Sequence, residues 1–252
     1  MIVRRPGTGR RAAVVAILAA VVAALAATAP GSATAAPAWC ADHASIAVLG
    51  DSGSTGYGLP GYPGGDVYAP TADGWASRIT TLAATTWRTT TTVLAHNGAM
   101  VSDFLPGGRW PETTAAVGRV GQLQPSLVLV ELGANEYIQD RSPTAVLAPA
   151  YHRLVDSIKA ASPRSTIAVV AQWQAGHRNS AQPRNTSWAA YAEVIAQTAA
   201  DEGSRFLDLR QYLPPGDSAA GQGLFLADHV HPTAAGHHVV ADAVWTLLRD
   251  DC

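Results

Sequence analysis

Short apolar runs alternate along the chain with longer segments of mixed polarity. The runs Ser45–Gly50, Thr89–Ala95, Ser126–Leu132, Thr166–Gln172 and Arg205–Leu209 predict five strands. Helical candidates lie between them at Gly74–Thr85, Glu112–Gln122, Pro143–Ala161 and Asn185–Glu202, and a last one spans Pro232–Arg249. Within Ile46-Ala47-Val48-Leu49, Leu127-Val128-Leu129-Val130 and Ile167-Ala168-Val169-Val170 the apolar residues are consecutive rather than alternating. Such strands are buried on both faces, as happens when helices cover both sides of a parallel sheet. The expected fold class is therefore a single three-layer α/β/α domain. The least regular stretch, Tyr57 to Asp73, is rich in Gly, Pro and Tyr and reads as a long surface loop.

Composition narrows the function classes. Only 14% of the 252 residues are charged, the formal net charge is -2, and no long charged run appears, which argues against a nucleic-acid partner. Two cysteines without a C-x-x-C pair exclude a disulfide-dense miniprotein and a cysteine-built zinc site. The N-terminus has its own pattern. Arg4, Arg5, Arg10 and Arg11 precede the uncharged apolar run Ala12–Ala27, then Pro30-Gly31, then the small residues Ala33-Thr34-Ala35 and Ala36-Pro37-Ala38. This reads as an export signal over residues 1–38, cleaved after Ala35 or Ala38, with the folded domain at 39–252. The apolar run is shorter than the ~20 residues that span hydrocarbon, so cleavage is favoured over a retained anchor. The expected product is secreted and monomeric, without a membrane anchor. In an oxidising compartment Cys40 and Cys252 are expected to pair, tying the two ends for at most roughly 5 kcal/mol; two free thiols are the alternative.

Polar residues interrupt the pattern at four places, each at a strand's exit or a helix's entrance: Gly50-Asp51-Ser52-Gly53, His96-Asn97-Gly98, Gly133-Ala134-Asn135-Glu136 and Asp228-His229-Val230-His231. In a parallel sheet the strand exits share one edge, where ligands bind. Ser52, on a tight turn, is the candidate nucleophile; alone, Gly-Asp-Ser is also an ordinary turn. His231 is the candidate base, and Asp228, three residues earlier, can hold one imidazole nitrogen so that the other faces a serine. The competing reading makes Asp228 a helix cap. Donors for an oxyanion are the N–H groups of Ser52 and Gly98 and the Asn135 amide. His229, His231, His237 and His238 are close in sequence, but no H-E-x-x-H pattern accompanies them, and neither metal nor cofactor is expected.

In these four blocks, in order and spacing, the chain resembles the SGNH/GDSL hydrolases. Gly50-Asp51-Ser52 corresponds to the nucleophile block, Gly98 to the glycine block, Gly133-Ala134-Asn135-Glu136 to G-x-N-D and Asp228-His229-Val230-His231 to D-x-x-H. The resemblance implies a flavodoxin-like five-stranded sheet of order 2-1-3-4-5 and serine esterase or lipase chemistry. Two positions depart from it: Glu136 stands where Asp is usual, and Gly53 where Leu is usual.

The substrate is less legible. Tyr57, Tyr62, Tyr68 and Trp75 are expected to wall a pocket or else to pin the long loop; Gln172, Trp173 and His177 follow the fourth strand at the same edge and are expected to add contacts, Trp173 as part of the substrate pocket. Export favours a small-molecule or polysaccharide ester, such as an acylated carbohydrate, or a lipid ester. An acyltransferase using the same serine, and a catalytically idle carbohydrate-binding homologue, are the alternatives.

Overall fold

A computed structural model describes residues 38–176 and 185–250. Apart from Ala38, the segment read as an export signal lies outside the described residues, as do His177 and Cys252. The helices are α1 (Ala38–Ala41), α2 (Ser52–Thr55), α3 (Trp75–Trp87), α4 (Pro111–Thr114), α5 (Ala116–Leu123), α6 (Ala134–Ile138), α7 (Ala148–Ala161), α8 (Trp188–Asp201) and α9 (Ala234–Asp250). The strands are β1 (Ser45–Gly50), β2 (Thr90–Ala95), β3 (Leu127–Glu131), β4 (Thr166–Ala171) and β5 (Arg205–Asp208). They form one parallel sheet in the order β2-β1-β3-β4-β5, as the resemblance implies.

Consecutive strand residues enter different cores. Ala47, Leu49, Val128 and Val130 pack with α5, α7 and α8 through Val120, Leu154 and Ile195. Ile46, Val48, Leu127 and Leu129 pack against α3 and α9 through Ile79, Val244 and Leu248 on the other face. That is the physical origin of the unbroken apolar runs. Trp39 belongs to the second core, and its indole donates to the Leu248 carbonyl at 2.9 Å, so the first described helix is held against α9. Among the described residues, no helix is long and apolar enough to cross a membrane.

The element boundaries differ from expectation for identifiable reasons. The expected helix Glu112–Gln122 is divided at Ala115 into α4 and α5. Pro143–Leu147 forms a wide π turn, in which the Leu147 N–H reaches the Ser142 carbonyl, before α7 begins. The last helix starts at Ala234 rather than Pro232, because Pro232 bridges to Phe225 and the Thr233 hydroxyl accepts the Gly236 N–H. α2, α6 and a 3-10 turn at Val101–Phe104 are too short to leave a helical period in the sequence, yet they stand where the chain turns away from β1, β3 and β2.

Register aligns the strand exits. Gly50 lies opposite both Ala95 and Glu131, Glu131 opposite Val170, and Ala171 opposite Asp208. The residues that follow are therefore brought to one edge of the sheet, and β1 lies between β2 and β3, where the strand order reverses.

Candidate active site

Asp51 starts the turn after β1. Its Oδ1 accepts the Gly53 N–H at 2.8 Å, and its carbonyl accepts those of Ser54 and Thr55 at 3.0 and 3.1 Å. The Ser52 N–H is the remaining first-turn donor, with no intrahelical acceptor available to it. The Ser52 hydroxyl is held at the rim of a pocket of about 260 Å³ lined by Ser52, Tyr57, Asn97, Gly98, Asn135, Ile138, Val230 and His231. A larger crevice of about 700 Å³ beside Arg109, Arg153 and Asp156 contains none of the candidate residues.

The second half of the site comes from the turn before α9. Asp228 Oδ1 accepts the N–H groups of Val230 and His231, each at 3.0 Å, which shapes the turn. Its Oδ2 lies 2.6 Å from His231 Nδ1, and His231 Nε2 lies 2.8 Å from Ser52 Oγ. Burial by itself raises the Asp228 pKa. The hydrogen bonds from the His231 ring and from the two N–H groups outweigh it and hold the carboxyl well below the usual carboxylate range. An Asp228 ionised at neutral pH fixes a proton on Nδ1 and leaves Nε2 to accept one. Serine, histidine and aspartate are thus joined by hydrogen bonds although Ser52 and His231 are 179 residues apart in the chain.

Gly98 lines the same pocket with φ 73°, a conformation that glycine adopts without strain. Asn135 lines it as well, but in this state both N–H bonds of its amide are engaged, with Asp51 Oδ2 and the Ala99 carbonyl, each at 3.0 Å. An oxyanion would have to share one of them.

The aromatic candidates separate. Tyr57 is at the pocket, its ring 4.5 Å from that of His231. Tyr62 and Tyr68 pin the long loop: the Tyr62 hydroxyl donates to the Gly65 carbonyl and accepts from Asn97 Nδ2, and the Tyr68 hydroxyl pairs with Ser77 Oγ. The expectation that Trp75 and Trp173 line the pocket is corrected. Trp75 is fully buried beside α9, and its backbone N–H donates to His237 Nδ1 at 3.3 Å. Trp173 is 2% exposed, and its indole donates to the Val230 carbonyl at 2.9 Å, so it supports the histidine turn from behind. Both rings follow their flanking elements into the core between the sheet and α9.

The neighbouring histidines have separate partners. His237 is buried, and burial lowers its pKa to about 3; His238 Nε2 meets Asp73 and His229 Nδ1 meets the Gly216 carbonyl. Among the described residues, no three His, Cys, Asp or Glu side chains are grouped to hold a metal ion.

Two buried carboxyls near the pocket were not foreseen. Glu131 stands at the end of β3, fully buried; a charged residue closing an apolar strand was the available signal. Glu136, the noted departure, accepts the Val101 N–H at 2.7 Å through Oε1, while Oε2 is buried without a partner. Burial raises it to about 7 from the ordinary 4.5. Between those values the folded chain keeps a proton that the unfolded chain has released. Its contribution is therefore fully present below pH 4.5 and is lost as pH rises through about 7. The loss is on the order of 3 kcal/mol. Glu136→Gln removes this linkage, so its melting temperature relative to wild type should climb between pH 4.5 and 8. A difference independent of pH would contradict the assignment.

The chain matches the model of the family described as GDSL-like lipase/acylhydrolase over residues 48–239. No curated protein matches it. Among solved structures it is similar to TesA, with 20% identity, a TM-score of 0.61, and 81% of this chain and 98% of that one covered. It is also similar to a variant of the acetyl-xylooligosaccharide esterase Axe2 from Geobacillus Stearmophilus (17%, 0.56, 83% and 96%). A member of the lipolytic protein G-D-S-L family from Veillonella parvula matches at 18% identity and TM-score 0.56, over 81% and 97%. At these identities the likeness to the solved structures is one of fold.

Proposed function

Because the chain belongs to the GDSL-like lipase/acylhydrolase family, we propose that it is a secreted serine hydrolase that cleaves short-chain carboxylic esters of hydroxylated compounds. The observation that carries this reading is the chain of hydrogen bonds from Asp228 Oδ2 to His231 at 2.6 Å and from His231 to Ser52 Oγ at 2.8 Å.

Ser52 Oγ attacks the ester carbonyl carbon while His231 Nε2 takes the hydroxyl proton, and the imidazolium is stabilised by Asp228. Negative charge develops on the carbonyl oxygen, where the N–H groups of Ser52 and Gly98 and the Asn135 amide are the donors. The carbon–oxygen bond to the alcohol breaks, and the alcohol leaves with the proton from His231. Water then attacks the acyl-serine, gives a proton to His231, and the acid departs as the proton returns to Ser52 Oγ.

Pocket size and lining support the substrate class. A space of about 260 Å³ lies just below the ~300–1,000 Å³ of pockets that hold drug-sized ligands, and between the apolar Ile138 and Val230 and the polar Asn97 and Tyr57 it suits a short acyl group and part of an alcohol. Large exposed apolar side chains among the described residues are Val67, Val146 and Tyr212, and none of them lines this pocket. In a p-nitrophenyl ester series, kcat/KM is expected to fall at least about tenfold from acetyl or butyryl to octanoyl, with acetate released from acetylated xylan. A kcat/KM that rises to dodecanoyl would overturn the short-chain reading.

Export and a Cys40–Cys252 bridge belong to the same proposal. Packing of Trp39 on Leu248 supports the bridge, because it brings the residue beside Cys40 onto the last helix. Mass mapping of secreted, unreduced protein should find a chain starting at residue 36 or 39 and a peptide linking the two cysteines. A start at Met1, or two alkylatable thiols, would overturn the corresponding part.

A further inference from the structure

Beneath the turn that carries Ser52 lies a carboxyl for which acyl transfer has no direct use. Glu131 closes β3 opposite Gly50 and is fully buried. A carboxyl there is costly unless its oxygens are hydrogen-bonded. Both are: Ser54 Oγ donates to Oε2, and Gln172 Nε2 donates to Oε1 at 2.5 Å. The same Gln172 nitrogen donates to Asp51 Oδ1 at 3.0 Å, while Gln172 Oε1 accepts the Ala134 N–H at 2.8 Å. Asp51 in turn caps Gly53 and accepts from Asn135.

One carboxamide, gripped from below by Glu131, therefore joins the turn of Ser52 to the turn of Asn135. Space is committed to it as well. A Cβ on Gly53 would come within 2.8 Å of Glu131 Oε1, 2.8 Å of Trp173 Cη2 and 3.2 Å of Gln172 Nε2. That accounts for glycine where the resemblance implies leucine. Burial, and then the charge of Asp51, push the Glu131 carboxyl well above its ordinary range, whereas Asp51, with three donors, rises only to about 6. Ser54 Oγ can accept as well as donate, so a proton on Glu131 Oε2 is met by that hydroxyl, and a glutamine at this position, its carbonyl accepting from Gln172 and its NH₂ facing Ser54 Oγ, keeps the same contacts.

We propose that Glu131 and Gln172 are positioning residues for acyl transfer, holding Ser52 and Asn135 at the spacing required by the developing oxyanion. This rests on the acyl-transfer reading above. A displacement of about 1 Å at such a site is enough to cost on the order of a hundredfold in rate.

The test measures kcat and KM per active serine, with serines counted by fluorophosphonate labelling. Glu131→Ala and Gln172→Met are expected to lower kcat about 10- to 100-fold with KM within about threefold of wild type, and Glu131→Gln to recover most of the loss. Counting labelled serines removes any contribution from misfolded protein. Wild-type kcat per labelled serine in both variants would overturn the proposal, as would a loss in Glu131→Gln equal to that in Glu131→Ala. Should Glu131→Ala yield no folded protein, Gln172→Met decides by itself. Wild-type protein with no turnover, or a Ser52→Ala chain that still turns over, removes the acyl-transfer reading instead, and the proposal falls with it.

Discussion

Ser52→Ala is expected to lower ester turnover by on the order of 10⁴ to 10⁶, and adding His231→Ala to lower it little further. The reason is the shared hydrogen bond. His231 Nε2 at 2.8 Å from Ser52 Oγ serves to take that hydroxyl's proton. Without the hydroxyl the imidazole has nothing to activate, and without the imidazole the hydroxyl is a poor nucleophile at neutral pH. Groups that act as one unit are not additive, so the double variant should match the single ones within about tenfold. The measurement is kcat on a p-nitrophenyl ester, with circular dichroism establishing that each variant is folded. Near-wild-type turnover in folded Ser52→Ala would end the nucleophile assignment. Multiplying losses in the double variant would mean that the two side chains act independently.

Asp228→Asn is expected to lower kcat by on the order of 10⁴ while leaving the fold unchanged. The turn geometry dictates the direction. Oδ1 of Asp228 accepts from the N–H groups of Val230 and His231, so an asparagine there must turn its carbonyl toward the backbone. Its NH₂ then faces His231 Nδ1, where Oδ2 now stands at 2.6 Å. A donor at that place forces Nδ1 to accept, moves the ring proton to Nε2, and presents Ser52 with an N–H instead of a lone pair. The fall should appear in kcat more than in KM, because substrate contacts are unchanged. Asp228→Asn with wild-type kcat would show that His231 is not oriented by this carboxyl.

Ser52, His231 and Asp228 were legible in the sequence, whereas the role of Glu131 was not. Ser52, Gly98, Asn135, Asp228 and His231 stand at the ends of apolar runs, where a parallel sheet brings its strand exits to one edge. Glu131 stands at such an end too, but a single carboxylate after Leu127-Val128-Leu129-Val130 reads equally as the first solvated residue beyond a strand. Its burial follows only from the register, which sets it opposite Gly50 and Val170, under the roof formed by α2.

By itself, the amino-acid sequence determined the alternation of strands and helices, the double-faced burial of β1, β3 and β4, and the residues that leave the sheet at its functional edge. These are consequences of local hydrophobic period and chain punctuation, which do not depend on what a segment meets. Tertiary structure alone decided that Trp75 and Trp173 are core rather than pocket, that the Asn135 amide is engaged by Asp51 and Ala99, and that Gln172 links two turns. Those outcomes turn on which atoms of sequence-distant elements come within hydrogen-bond or van der Waals reach. A chain's pattern fixes which faces must be covered, and only the packed structure fixes by what.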